Sequence, residues 1–226
     1  MRRTIASTTA RSTATTPSWA ITGRAAGATT LSYQVGHSGD DGYGTRVDSG
    51  STAFNSNQTT ARFGHDYDDE EIEVSNYYAF FRFTGVAIPA GKTITTAKLS
   101  LKFSGIGLNY SSHTFKIAAR DHGDASRPTT IAEVRPGVSA TYPYTSTVVD
   151  WGSIGSLSSD DWFDSPEIKT VIQEVIDGPA QGTWASGNAL MLVVYDADDD
   201  ESNKYSFIKT YDSASGDAAK LEITYS

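Results

Sequence analysis

The densest chemistry in this chain lies in two clusters of acids. Asp66, Asp68, Asp69, Glu70, Glu71 and Glu73 form one, and Asp196, Asp198, Asp199, Asp200 and Glu201 form the other. Carboxylates crowded into one loop repel one another, and a Ca2+ ion with roughly six to eight oxygen ligands relieves that repulsion. Asp196, Asp198 and Asp200 fall where an EF-hand loop begins, but Glu201 replaces its central glycine and Phe207 its terminal glutamate. A helix-loop-helix site is therefore excluded. The expectation is a Ca2+ site in a β-sandwich loop, drawn from Asp196, Asp198 and Asp200 or from Asp66, Asp68 and Asp69. The competing reading is a solvated loop that keeps the surface negative.

Other chemistries find less. The chain has no cysteine, which excludes thiol catalysis and disulfides. His37, His65, His113 and His122 are scattered and form no metal-binding pair of the H-E-x-x-H kind. The stretch Gly36-His37-Ser38-Gly39-Asp40 ends in Asp where a nucleophile elbow needs glycine. A glycosidase needs two carboxylates held across a cleft, and among 27 acids some pair always suggests itself. No phosphate-binding glycine loop is present. The expectation is a protein that is not an enzyme.

Aromatic residues are abundant, with four Trp, twelve Tyr and nine Phe. Sugar rings stack on exposed aromatic faces, and Tyr43, Tyr110, Tyr142, Tyr144 and Trp184 sit in polar or glycine-rich stretches that favour exposure. They are the candidate glycan contacts. Phe81, Phe83, Trp151 and Trp162 lie inside the strand-like motifs quoted below and are expected in the core.

The elements that must position these residues are mostly strands. Segment 78–103 holds two, joined by Ile88-Pro89-Ala90-Gly91, and the second alternates Ala97, Leu99, Leu101 and Phe103 with polar residues. Further short runs at 114–119, 189–195, 205–210 and 220–225 are separated by Gly, Asn, Asp and Ser, the spacing of an antiparallel sandwich. One helix is expected over about 166–177. Pro166 suits its first turn, Ile168, Val171, Ile172, Val175 and Ile176 form an apolar stripe, and Gly178-Pro179 stops it. It should cover an open end or edge of the sandwich. No repeat of solenoid or propeller length is present.

Charge divides the chain. Residues 1–30 hold Arg2, Arg3, Arg11 and Arg24 and no acid, whereas the remainder holds 14 bases against 27 acids. A basic, Ser/Thr/Ala-rich arm over 1–30 therefore precedes an acidic domain over 31–226. Arg2, Arg3, Arg11 and Trp19 are its candidate docking residues, against the reading of a disordered tail or an organelle transit peptide. The acidic body repels phosphate backbones, so no specific nucleic acid partner is expected. No apolar run approaches the ~20 residues that a membrane helix needs, so no membrane insertion is expected either.

The aromatic-Arg-Phe strand Phe80 to Phe83, the Ile88-Pro89-Ala90-Gly91 turn and the Thr95 to Leu101 strand together resemble the DNRLRE-type, carbohydrate-binding-module-like jelly rolls. Asp40-Asp41-Gly42-Tyr43, Val149-Asp150-Trp151, Asp161-Trp162, Ser186 to Leu190 and Ala219 to Tyr225 agree with them in order, so the resemblance spans about residues 40–226. It implies an all-β jelly-roll β-sandwich that binds carbohydrate, of the kind found beside secreted polysaccharide enzymes, in surface proteins and in phage virions. The N-terminus has no apolar stretch of the secretory kind. If Met1 is the native start, this favours a particle assembled in a host cytoplasm. The expected function is a surface protein of a tailed-phage virion, decorating capsid or tail and adhering to glycans. Its expected partners are other virion proteins, further copies of itself and cell-surface polysaccharide. The alternatives are an extracellular or cell-surface adhesin module of a bacterial protein, then an accessory protein of a polysaccharide lyase or hydrolase.

Overall fold

The computed structural model describes residues 27–68, 70, 73–107, 114–152, 154–196 and 203–226. In chain order its strands are β1 (Thr29–Gln34), β2 (Asp41–Val47), β3 (Thr52–Asn55), β4 (Thr60–Asp68), β5 (Glu73–Val86), β6 (Ile94–Gly107), β7 (Phe115–Ala119), β8 (Val149–Trp151), β9 (Trp162–Asp164), β10 (Asn188–Tyr195), β11 (Lys204–Lys209) and β12 (Lys220–Tyr225). Two α-helices accompany them among the described residues, α1 (Ile131–Val134) and α2 (Lys169–Asp177). The fold is all-β: an antiparallel sheet curls on itself, sandwich-like, in the order β1-β12-β6-β11-β4-β5-β10-β7-β8. The expected strands at 114–119, 189–195, 205–210 and 220–225 are all present within a residue of their bounds.

Strands β5 and β6, consecutive in sequence, do not pair with each other. The Pro-Gly connection instead carries the chain from one side of the sandwich to the other. In β6 the alternation is realised as expected: Ala97, Leu99, Leu101 and Phe103 turn inward and are buried. Leu99 stands opposite Leu221 and Leu101 opposite Phe163. Beyond Leu101 the strand changes partner from β12 and β9 to β11. Gly105 makes the bend there at φ +88°, where a Cβ would lie 2.8 Å from the Ser159 side chain.

Facing these residues are Phe81, Phe83, Leu190 and Leu192 from β5 and β10, all fully buried. Burying each such side chain contributes about 1.5–3 kcal/mol. Helix α2 closes this core with Val171, Ile172 and Val175, packing against β6 and β7 as an edge cover. It begins at Lys169, three residues later than its sequence pattern suggests. Residues 165–168 pair along β6 instead: Ser165 N–H donates to Leu99 C=O at 2.7 Å and Ile168 N–H to Ala97 C=O at 3.0 Å. Side chains of the segment are used there too, with Ser165 Oγ accepting from Leu99 N–H and Glu167 Oε1 from Ala97 N–H.

The outer face of the β2-β5-β10-β7 region carries its own cover. The chain between β7 and β8 folds back over it, so that Tyr78, Phe80, Met191, Val193, Ala125 and Val134 form a second buried cluster. Asp40 fastens this layer. It accepts from Arg82 Nη1 at 2.9 Å and from Arg127 Nε at 3.0 Å, while Arg82 Nε donates to Ala125 C=O at 2.6 Å. Burial works to raise the Asp40 pKa, but Arg127 and Arg82 outweigh it and hold the carboxyl below its ordinary range.

Its neighbour Asp41 is the opposite case. Fully buried, with Oδ2 accepting from Tyr211 N–H at 2.8 Å and Oδ1 lacking any partner, it is pushed up to about 7 by burial, opposed by the Tyr211 hydrogen bond, with Asp212 and Asp40 adding to the rise. Between pH 4 and 7 the folded chain keeps a proton that the unfolded chain has released, so this group's stabilisation is complete below about pH 4 and is lost as pH rises toward 7. Asp41→Asn should flatten the decline in melting temperature between pH 4 and 7 and melt above the parent at pH 8. Equal slopes in calorimetry across that range would refute the assignment.

Candidate functional site

The sequence-derived glycan candidates separate into two groups. Trp184 is buried, and its indole N–H donates to Ile88 C=O at 2.9 Å. It is a core residue held by a buried hydrogen bond, which corrects its reading as a sugar platform. Tyr43 is half-buried against the edge of Tyr77, and Arg62 lies over its ring at 5.6 Å. Arg62 also covers Tyr77 at 5.5 Å and Phe207 at 4.4 Å, so this aromatic cage is already filled by the chain's own guanidinium. Tyr43 therefore leaves the glycan set as well. Tyr110 lies outside the described residues. Tyr142 and Tyr144 come together on one surface.

That surface is the layer over the outer face of the sheet. The segment after β7 is stitched down by Arg120 N–H to Met191 C=O, Thr145 N–H to Ala119 C=O and Tyr144 OH to Glu133 C=O, at 2.9, 2.9 and 2.8 Å. Tyr142 and Tyr144 thereby line a depression of about 490 Å³, with Tyr195 of β10 and the exposed Val138 and Val148 at its margin. Val138 is 48% exposed and Val148 38%; Trp162 is the other large apolar side chain exposed among the described residues. A second depression of about 200 Å³ shares Tyr142 as a wall and is lined by Arg120, His122, Glu133 and Gln181. A third, of about 240 Å³, shares Tyr195 and Pro136 and adds Arg46, Asn76 and Arg135. The three adjoin through these shared walls and are together called the groove.

The electrostatics of the groove are unusual for so acidic a chain. Among the described residues neither Arg120 nor Arg135 is in an ion pair with an acid. Arg120 is 8% exposed, lies over the Tyr142 ring at 4.6 Å and donates from Nη2 to Thr141 C=O at 3.2 Å, while its Nη1 has no partner. Burial pulls its pKa down, and Tyr144, Glu133 and Tyr142 resist. Arg135 reaches Tyr78 OH at 3.3 Å. The one acid lining the second depression, Glu133, accepts four hydrogen bonds from Thr129 and Thr130, all at Oε2. Burial works to raise it, and those bonds hold it low and charged. The groove thus sets aromatic faces in front of a buried guanidinium that keeps one unmatched nitrogen.

The calcium expectation meets a different use of its first ligand. Asp196 is wholly buried, with Oδ2 2.6 Å from Nδ1 of the equally buried His65. The carboxylate is committed inward, which corrects its reading as a loop ligand. Asp68 is exposed and accepts from Glu70 N–H at 2.8 Å, while Asp66 is half-buried, its pKa raised by burial against the pull of Arg62. Among the described residues no three acids or histidines gather as around a metal ion. Asp69, Asp198 and Asp200 lie outside the described residues, as do Arg2, Arg3, Arg11 and Trp19 of the arm.

Residues that sequence reasoning passed over complete the site. Tyr195 ends a buried-looking strand, and nothing in its local pattern distinguishes it from core. Arg120 follows an apolar run, and its unmatched donor is visible only once its neighbours are placed. Trp162, expected inside, is 37% exposed on the opposite sheet face, with Lys220 Nζ 3.8 Å from its ring centroid. The one advance signal was the Tyr142-Pro143-Tyr144 run, where proline keeps two rings out of a regular strand. No family model and no curated protein sequence matches this chain. The likeness to DNRLRE-type modules accordingly rests on the order of its motifs.

The His65 and Asp196 pair joins β4 to the end of β10, and its loss should weaken the whole fold. Asp196→Ala should lower stability by about 1–3 kcal/mol, because it removes a buried acceptor from a buried ring. An unchanged urea midpoint for this variant would show the pair to be energetically idle.

Proposed function

We propose that this chain is a non-catalytic, surface-displayed glycan-binding β-sandwich, and that the Tyr142, Tyr144 and Tyr195 groove is its adhesive site. The observation that carries this reading is the meeting of those three rings and two exposed valines with the spare donor capacity of Arg120. Sugars present apolar C–H faces and a dense rim of hydroxyl oxygens, and such a groove answers both. Arg120 behind Tyr142 fixes the ring, which lowers the entropy lost on binding. The cover segment is tied to the sheet by backbone bonds, so the site is built on a rigid support.

Display on a tailed-phage particle, the context implied by the motif order, would suit a groove this open. Each site would bind weakly, and many linked copies would raise avidity by ~10² to 10⁴ without any new contact. Placement in a bacterial surface protein would use the same groove and differ only in what displays it. Such a module needs no metal for the contacts described.

The test is retention of an oligomeric display on a glycan array and on cell envelopes, with melting recorded in parallel. Tyr142→Ala should weaken each site about tenfold and abolish retention of the display, while the melting temperature shifts little because the ring is half-buried. A display that adheres equally with Tyr142→Ala would move adhesion away from this groove. The surface around Trp162 would be examined next.

A further inference from the structure

Among the described residues the first strand of the sheet has an open side. Strand β1 pairs with β12 alone, in unbroken register from Thr29 opposite Tyr225 to Gln34 opposite Lys220. Val35 N–H continues that ladder to Ala219 C=O at 3.0 Å, so the alternate residues Thr29, Leu31 and Tyr33 turn their backbone polar groups toward β12. Thr30, Ser32 and Gln34 turn theirs outward, and among the described residues these groups have no backbone partner. Natural sheets guard such edges with charge, proline or a bulge, and β1 has none of these. By contrast the edge strands β8 and β9 carry Asp150 and Asp164.

We propose that β1 is a self-association edge whose occupant is the β1 strand of a second copy of this chain. A two-fold axis normal to the sheet keeps each face on its own side, so only residues of the same parity can stand opposite. Centring the axis on Ser32 pairs Ser32 with itself and Thr30 with Gln34 of the other copy. Every outward N–H and C=O of the strand then finds a partner. Leu31 comes opposite Tyr33 on the face that packs toward the core, and no like charges meet, because the strand has no charged residue. An axis centred on Leu31 would leave Gln34 unmatched within the strand. One strand pair is a narrow interface, so association is expected to depend on concentration in the micromolar range. Such a dimer doubles the number of grooves, and its existence does not depend on what they bind.

The chain contains no cysteine, so a single introduced thiol reports the register. Directly opposed, hydrogen-bonded residues have Cα atoms about 5.5 Å apart, within the reach of a disulfide. Under mild oxidation Ser32→Cys should cross-link into a dimer, and Thr30→Cys should do so at least about tenfold more slowly, since it faces Gln34. Sedimentation equilibrium of the unmodified chain at about 100 µM should show a mass approaching two copies. Ser32→Pro removes the central outward N–H at a position where an edge strand tolerates proline. It should return the mass to one copy with little change in melting temperature, and Ser32→Lys is a second disruptor should the proline variant fail to fold. A monomer at that concentration, equal cross-linking at both positions, or a Ser32→Lys variant that still dimerises would each overturn the proposal.

Discussion

The structure depends most on β5 carrying three partners on two edges. Along one edge runs β2, opposite residues 75–81; along the other run β4, opposite 73–77, and β10, opposite 79–86, end to end. Where β10 stops and β4 takes over, the sheet forks. At that junction His65 stands opposite Asn76 and meets Asp196, the residue after the end of β10. Gly64 has φ +102°, and a Cβ there would lie 2.0 Å from Lys204 C=O, so only glycine lets β11 approach β4 so closely. The buried pair at this fork satisfies one polar side chain with the other, out of water. It also decides that Asp196 faces inward and is withheld from the acidic loop that follows.

From this fork the two faces of β5 acquire different tasks. Phe81 and Phe83 face the main core, while Tyr78 and Phe80 face the smaller cluster beneath the segment after β7. An antiparallel sheet usually leaves its second face to water. Here that face is apolar and must be covered, and the cover is an irregular segment closed by Asp40, Arg82 and Arg127. An irregular cover over a regular sheet leaves depressions at its margins. The groove is a consequence of that mismatch, and its walls are the rings at the edge of the cover.

The charge pattern follows the same division. Several cations of the acidic body are engaged by acids: Lys102 and Lys209 are shared between Asp160 and Asp217, and Arg82 and Arg127 are used on Asp40. Arg120 and Arg135 escape this pairing because the cover segment lifts them onto aromatic rings. In a chain of net charge −9, the groove thus carries two guanidinium groups without an acid partner.

The all-β class, the strand runs and the amphipathic stripe of α2 were legible in the sequence because each rests on local periodicity. Alternation in β6 names its buried residues without knowledge of any partner. Tyr142 and Tyr144 stand out in the sequence by their polar surroundings, and the structure places both rings on the wall of the groove. The start of α2, the inward turn of Asp196, the burial of Trp184 and the exposure of Trp162 were decided only by tertiary structure. In each case a residue distant in sequence offered a better partner than the local one. Ala97 and Leu99 claimed Glu167 and Ser165, His65 claimed the carboxylate, and Ile88 C=O claimed the indole. Composition and spacing determine which groups can bury or bond, but a hydrogen bond between residues 131 positions apart exists only once the sheet has brought them together.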